Sequence, residues 1–408
     1  MAAYSAAVFS NTREVSILMC QVREVFWWLL GCVAYAYVGY PAALWLTSAL
    51  ARRRHAPSAV SGHDCPPHVS IVVPSYNEAA LLERRIANLL ALDYPSDRLD
   101  IIVGSDGSTD RTDAVVSAVR DPRVRLISVP HRGGKTALLN MLINVSSADV
   151  IVFTDANSDF APDAIARLVE PFADPTIGCV TGELVYSNRS EAGVRAGEGL
   201  YWRLEDFVKD MEGRFGGTLV ATGAIYAMRR RLCAPLPAGI SDDSVNPLLV
   251  LRSGHRVVVQ PRAHAFEREA DNLAEEYRRK VRMVTRQLGA HAYVGYFLRP
   301  FRPMLAARLF SHKVIRWLVP FFLLGAVAVN SMLLDDWFYR VTYAAALAGA
   351  VVFLVGWHAL RRSMTVPAGV RLWVYFCVVN TAAFVGIVDF VRGRERVVWS
   401  ASPSTRHP

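Results

Sequence analysis

The sequence predicts an α/β domain built on a mixed, mainly parallel sheet and flanked by transmembrane helices. Three observations predict it. Short apolar runs alternate with helical stretches from about residue 68 onward. Uncharged stretches of bilayer-spanning length lie at both ends of the chain. Acidic residues recur at Glu78 in PSYNE, Asp106 in GSDGSTD, Asp155 in FTDANSDF and Asp243 in ISDDSVNP, and the first three each follow an apolar run. Acidic groups at the strand ends of such a sheet point to a polyanion handled through a metal ion.

Of the 408 residues, 52% are apolar, too many for an ordinary soluble enzyme and too few for a chain wholly in lipid. The apolar excess sits at the two ends. The expected division is a short N-terminal segment (1–24), a transmembrane helix (25–50), a Pro/Ser/Gly/His-rich linker (51–67), one globular domain (68–272), basic interfacial helices (273–312), a C-terminal membrane region of about three helices (313–391) and a tail (392–408). The stretch from Val25 to Leu50 carries no charge, and 26 helical residues suffice to cross ~30 Å of hydrocarbon. It is too long for a signal-peptide core. Arg52, Arg53 and Arg54 follow it and orient the next domain toward the cytoplasm, so the chain is expected in the cell (inner) membrane.

The strands expected in order are HVSIVVP, DIIVGSD, RVRLISV and DVIVFTD, with helices between them, which implies βαβ units and a parallel sheet. After Gly178 the strands GCVTGELVY, TGAIYAM and RVVVQ make the second half mixed. Three further spans are expected at Trp317 to Leu334, Val341 to Leu360 and Leu372 to Val391. Arg392, Arg394 and Arg396 follow the last, against the positive-inside rule, so either this segment is re-entrant or the count of spans is off by one.

The net charge of +9 is uneven: from Arg278 to Arg316 there are ten Lys or Arg residues and no Asp or Glu. Such a run serves as a positive-inside flank, as a contact for anionic membrane lipid, or as a ligand for a diphosphate. No nucleic-acid motif accompanies it, and no nucleic acid is expected. The six cysteines show no CxxC or metal spacing, in keeping with a reducing cytosol.

GSDGSTD places Asp106 at a strand end beside small residues, which leaves room for a ligand; Ser108 or Asp110 serves equally as a helix N-cap. In FTDANSDF, Asp155 and Asn157 can hold Mg²⁺ or Mn²⁺ while substrate phosphates complete the shell, although taken alone such a pair is more often an Asx-turn. HRGGKTALLN is not a phosphate loop of the Walker type, because Val129 stands where a glycine is required. Lys135 can still open a helix and reach a phosphate. Asp242 and Asp243 can act in chemistry or cap the helix that Pro247 helps begin. On the helical stretch after Gly193, Tyr201, Trp202 and Glu205 share one face, suited to a sugar acceptor or to core packing.

Together PSYNE, GSDGSTD, HRGGKTALLN, TDAN, TGAIYAMRR and SDD, with the later YRRKVR, SHKVIRW and VVWSASPSTR, resemble family 2 glycosyltransferases of GT-A fold, in the membrane-integrated branch that includes cellulose, hyaluronan and chitin synthases. The likeness covers roughly residues 25 to 406. It implies a nucleotide-diphospho-sugar donor, with a UDP-sugar favoured, and a glycan or lipid-linked acceptor. It implies donor binding by Pro74, Tyr76, Glu78, Asp106, Lys135, Asp155, Arg279 and Arg282. It implies acceptor binding by Tyr201, Trp202, Glu205, Thr222, Gly223 and Asp242, a metal at Asp155 and Asn157, and Asp243 as general base of an inverting transfer. Two departures stand out: Asn157 replaces the second acid of the usual DxD, and Arg279-Lys280-Val281-Arg282-Met283 replaces QxxRW, so the aromatic sugar platform is absent. A polyprenyl-phosphate sugar synthase and a catalytically silent scaffold are the alternative readings.

Overall fold

The computed structural model describes residues 2–51, 66–186, 207–208, 211–212, 217–268, 273–295, 303–362 and 364–394. The chain opens with α1 (Ala2–Ala34), which runs through a π-helical turn (Tyr35–Gly39) into α2 (Tyr40–Ala51). The elements of the sheet domain follow: β1 (Val69–Ser75), α3 (Ala79–Leu90), β2 (Leu99–Asp106), α4 (Thr112–Ser117), β3 (Val124–Val129), α5 (Lys135–Val145) and β4 (Val150–Phe153). Next come β5 (Asp159–Phe160), α6 (Ala164–Val169), β6 (Ile177–Tyr186), β7 (Tyr226–Arg229), α7 (Asp242–Arg252) and β8 (Arg256–Glu267). Five helices close the described chain: α8 (Leu273–Val294), α9 (Pro303–Leu309), α10 (Ile315–Asn330), α11 (Trp337–Arg361) and α12 (Ala368–Val391), with a π-helical turn (Phe310–Val314) between α9 and α10.

The described strands form one eight-stranded sheet in the order β3-β2-β1-β4-β7-β6-β8-β5. β3, β2, β1 and β4 are parallel; β7 runs antiparallel to both β4 and β6; β6 and β8 are parallel again. The chain winds outward from β1 to β3 and then returns to β4 on the other side of β1. That reversal leaves a crevice past the carboxyl ends of β1, β2 and β4, where open α/β sheets bind ligands.

Alternation along the strands divides the core between two faces. Val69, Ile71 and Val73 pack with Leu82, Ile86 and Leu89 of α3 and Ile165 and Leu168 of α6. Val72, Ile102, Ile151 and Phe153 pack with Leu138, Leu139 and Leu142 of α5, Val245 and Leu248 of α7, and Ala290 and Val294 of α8. The basic helix α8 therefore joins the second core layer and is not a surface attachment.

β8 is longer than RVVVQ. Pro261, which cannot donate to a ladder, falls where the β6–β8 register slips from Thr181↔Val259 to Glu183↔His264, and the strand resumes beyond this irregularity to Glu267.

Among the described residues, four helices are long and apolar enough to cross a membrane: Ile17–Thr47, Ala306–Asn330, Trp337–Arg361 and Ala368–Val391. α10 packs against α1 and α12, and α8 packs along α12, which brings the sheet's second layer up to the apolar helices. Gly386 of α12 marks this approach, because a Cβ there would meet the Val284 Cβ at 2.9 Å.

Candidate active site

The loops past β1 and β2 lock together first. Asn77 takes a positive φ of 52°, and its side-chain oxygen accepts from the Thr109 amide at 2.8 Å. Asp110 accepts from the Thr112 amide at 2.9 Å and the Ala79 amide at 3.2 Å, so one carboxylate serves the first turns of both α3 and α4. These hydrogen bonds hold Asp110 below the usual carboxylate range against the opposing effect of partial burial. The N-cap position of α4 is Arg111, without a side-chain cap, so Asp110 acts from one residue before the expected N-cap place.

Asp106 is buried, and its two oxygens accept from Gly133 at 2.8 Å and Gly134 at 3.0 Å. It thereby folds the HRGGK loop over the strand ends. Gly134, with φ of 89°, turns the chain directly into α5, and Lys135 becomes the first residue of that helix. The Arg132 guanidinium lies 3.5 Å from the centre of the Tyr76 ring.

Lys135 then reaches across. Its Nζ donates to Asp155 Oδ1 at 2.7 Å and stands 3.7 Å from Asp242 Oδ1. Burial pulls the ammonium pKa down, but the surrounding carboxylates, Asp155 first and then Asp242, outweigh it and hold the group charged. The Asp155 loop is braced from behind by the buried Arg85, which donates to Thr154 Oγ1 at 2.8 Å; that hydroxyl donates in turn to the Ala224 carbonyl at 2.8 Å.

Asp242 and Asp243 occupy the first turn of α7, whose N-cap Ser241 makes no side-chain cap. Pro247 lies inside the helix and has no N–H, so the Asp243 carbonyl four residues earlier lacks its helical partner. It accepts instead from the Ala221 amide at 2.9 Å, which fastens the TGA loop to the acidic turn. Gly223 of that loop sits so close that a Cβ would lie 3.1 Å from Asp243 Oδ2. Asp242 is buried; its Oδ2 accepts from Tyr226 Oη at 2.7 Å, and the Tyr226 ring stacks on Phe153 with centroids 4.4 Å apart. Asp243 is half-buried, and its Oδ1 accepts from the Ser241 hydroxyl. Burial and the adjacent Asp242 charge raise the Asp243 carboxyl above the usual aspartate range, with Ser241 and Lys135 opposing.

These groups face one cavity of about 460 Å³. Of the residues expected from sequence, Lys135, Asp155, Thr222, Gly223, Asp242, Asp243, Arg279 and Arg282 line it. Pro74, Tyr76, Glu78, Asp106 and Asn157 do not line it; Pro74 and Asp106 lie at the ends of β1 and β2, Tyr76 and Glu78 follow β1, and Asp106 is joined to the cavity residue Lys135 through Gly134. Tyr201, Trp202 and Glu205 lie outside the described residues. Among the described residues no three His, Cys, Asp or Glu side chains converge in a way that could hold a metal ion by themselves.

The structure adds residues that sequence reasoning missed. Glu267, at the end of β8, lines the cavity, accepts from the Ser158 hydroxyl, and is pushed up to about 7 by burial and the Asp155 charge. Its signal was the length of β8, hidden by Pro261. On α8, Arg279 donates to the buried Glu276 at 2.6 Å and to Tyr186 at 3.3 Å, while Lys280 stands 3.6 Å from Glu276. These two cations overcome burial and hold Glu276 below the usual range. Arg286, Lys313 and Arg316 complete a basic wall. The i, i+3, i+7 spacing of Arg279, Arg282 and Arg286 was visible in the sequence; that this face turns toward the carboxylates was not.

Residues 70–235 match the family model of glycosyl transferase family 2. An N-acetylglucosaminyltransferase of Sinorhizobium fredii is 28% identical over 245 residues, 56% of this chain and 59% of the relative. A beta-monoglucosyldiacylglycerol synthase of Synechocystis is 28% identical over 167 residues, 40% of this chain and 33% of that one. The chain thus spans about 60% or less of the length of these relatives. Among solved structures, a mannosyltransferase from Pyrobaculum calidifontis in complex with GDP-Man and Mn²⁺ superposes with a TM-score of 0.68, 23% identity and coverage of 91% of this chain and 100% of that one. Fold, ordered motifs and family match agree: residues 70–235 are a glycosyl transferase family 2 domain of GT-A fold, carried among helices long and apolar enough to cross a membrane.

Proposed function

We propose that the chain is a membrane-bound, inverting glycosyltransferase that moves a sugar from a nucleotide-diphospho-sugar, with a UDP-sugar favoured, onto a hydroxyl of a glycan or lipid-linked acceptor for cell-surface or extracellular polysaccharide synthesis. The observation that carries this reading is the one cavity lined both by the Lys135–Asp155 ion pair and by Asp243. Tyr76, Glu78 and Asp106 shape the nucleoside end, and Lys135, Arg279 and Arg282 receive the diphosphate. Asp243 accepts the proton of the acceptor hydroxyl as its oxygen bonds to the anomeric carbon; the bond to the nucleotide diphosphate breaks, and its electron pair leaves on the diphosphate oxygen. One displacement inverts the anomeric centre, so an α-linked donor gives a β-linked product. The positive flank of Arg52, Arg53 and Arg54 after the first span favours the cytoplasmic face of the cell membrane for this domain.

The donor set fits Mg²⁺ or Mn²⁺. Mg²⁺ on nucleotide substrates takes one or two carboxylates and fills the rest of its shell with phosphate and water, so a three-carboxylate cluster is not required. Asp155 would hold the ion, and Glu267, which lines the same cavity, adds a second carboxylate; Asn157, two residues after Asp155, lies outside the cavity lining. When bound, it would neutralise the charge gathering on the departing diphosphate.

The test incubates the purified chain in detergent with a panel of radiolabelled nucleotide sugars and Mg²⁺ or Mn²⁺. Release of nucleotide diphosphate from one donor, with inverted configuration in any transferred product, is expected. No release from any donor, or retention of configuration, overturns the reading.

A further inference from the structure

Arg85 and Asn88, neighbours on one face of α3, grip the FTDANSDF segment at both its ends. Arg85 Nη2 donates to Thr154 Oγ1 at 2.8 Å, one residue before Asp155. Its Nη1 donates to Asn88 Oδ1 at 2.7 Å, and the Asn88 side chain both donates to the Phe160 carbonyl and accepts from the Phe160 amide at 2.9 Å. The guanidinium also lies 4.3 Å from the centre of the Phe160 ring. Burial lowers the Arg85 guanidinium to about 9, with the charges of Asp159, Glu267 and Asp155 opposing, so it stays a cation at neutral pH. Neither Arg85 nor Thr154 lines the cavity, and both are buried. Whatever they do for the site, they do through other residues.

Thr154 stands where two loops of the site meet. The β4–β7 ladder ends at Phe153↔Tyr226, and one residue further the Thr154 hydroxyl replaces it, donating to the Ala224 carbonyl at 2.8 Å. Ala224 closes the TGA loop, whose start is tied to the acidic turn by the Ala221 amide on the Asp243 carbonyl at 2.9 Å. Between those two ties Gly223 abuts Asp243 Oδ2. A guanidinium has only donors, so with Arg85 against its oxygen the hydroxyl must turn its one hydrogen elsewhere, and the Ala224 carbonyl receives it. One buried hydroxyl therefore joins the residue before Asp155 to the loop against Asp243.

We propose that Thr154 is a positioning residue for the transfer: its hydroxyl, aimed by Arg85, holds the donor-side loop of Asp155 and the TGA loop behind the base Asp243 at one fixed separation. The inference rests on the glycosyl-transfer reading for the roles of Asp155 and Asp243, and adds the group that couples them. Transfer in line needs the leaving diphosphate and the base on opposite sides of one anomeric carbon, so a small change in their separation lowers the rate. Valine at position 154 would keep the branched shape and lose the link, whereas serine would keep the link.

The test measures amide hydrogen exchange and kcat on the full chain in detergent for Thr154→Val, Thr154→Ala and Thr154→Ser. Thr154→Ala removes the same hydroxyl without setting a second methyl beside the guanidinium, so one of the first two reports even where the other fails to fold. Both are expected to raise exchange at least about tenfold in residues 155–158 and in residues 221–225, the scale of one lost buried hydrogen bond. Thr154→Ser is expected to stay within about threefold of the parent in exchange and in kcat, while the other two lose about tenfold in kcat. The control is Tyr40→Phe, which breaks a buried hydrogen bond to Glu212 far along the chain from both loops. Faster exchange confined to residues 155–158 overturns the proposal, as does the same rise in Tyr40→Phe, which would mark a general loss of stability. Equal losses in Thr154→Ser and Thr154→Val overturn it too, and so does an unchanged kcat beside loosened loops. Exchange is read without substrate, so it decides the link between the loops in any case. Nucleotide release by the parent without the exchange pattern sinks this inference alone, whereas the pattern without any nucleotide release supports the link and sinks the transfer reading.

Discussion

Lys135 Nζ lies 2.7 Å from Asp155 Oδ1 and 3.7 Å from Asp242 Oδ1, so one ammonium ties the loop after β4 to the first turn of α7. Removing it leaves carboxylates facing one another and takes a cation from the place where a diphosphate would arrive. Lys135→Met is expected to lower transfer about 10²-fold, the scale of one lost charge-stabilising donor. Isothermal titration with the donor nucleotide should show weakened binding. Unchanged affinity and rate would remove Lys135 from the donor site.

Gly223 tests how tightly the base is held. Alanine there would bring a Cβ to 3.1 Å from Asp243 Oδ2, so the carboxylate must shift by a few tenths of an ångström. Because catalysis is sensitive to small displacements, Gly223→Ala is expected to lower kcat about tenfold with little change in thermal stability. Steady-state kinetics beside a melting curve check both halves.

Glu267 supplies a pH dependence of stability. Its folded pKa of about 7 exceeds the ordinary 4.5, so between those values the native state binds more protons than the unfolded chain. Its contribution is therefore present in full below about pH 4.5 and is lost as the pH rises through about 7. In a metal chelator, Glu267→Gln is expected to raise the Tm relative to the parent at pH 8 and to leave it unchanged near pH 4. A Tm difference between the two proteins that stays constant from pH 4 to pH 8 would contradict this.

The joint between membrane helix and sheet domain is polar and buried. Tyr40 Oη donates to Glu212 Oε1 at 2.7 Å, and His312 Nδ1 lies 2.9 Å from the same oxygen. Glu212 and His312 are both almost wholly buried. Tyr40→Phe removes a hydrogen bond to a charged group and is expected to cost about 2 kcal/mol, measurable by thermal unfolding in detergent.

Much of this arrangement is legible in the sequence. The parallel half of the sheet announced itself because β1, β2 and β4 are almost wholly buried and carry the apolar runs IVVP, IIVG and VIVF. Lys135, Asp155 and Asp243 stood out because each follows a strand or opens a helix, and the structure places all three on one cavity. What stayed hidden depended on contacts distant in sequence. Nothing near Asp106 tells that both its oxygens are taken by Gly133 and Gly134, and nothing near Glu267 tells that it faces Asp155. Lys313 and Arg316 read as an ordinary positive flank of a span until the helices pack and turn them onto the cavity wall.

In the proposed reaction Asp243 takes the acceptor proton in a cavity where other groups hold the donor. Its most direct test is Asp243→Asn, with donor affinity measured by titration and transfer measured in a single turnover. Donor affinity within about threefold of the parent, together with a transfer rate lower by about 10³-fold, is the expected result, within the usual scale of a lost general base. A transfer rate within about tenfold of the parent would show that Asp243 is not the base.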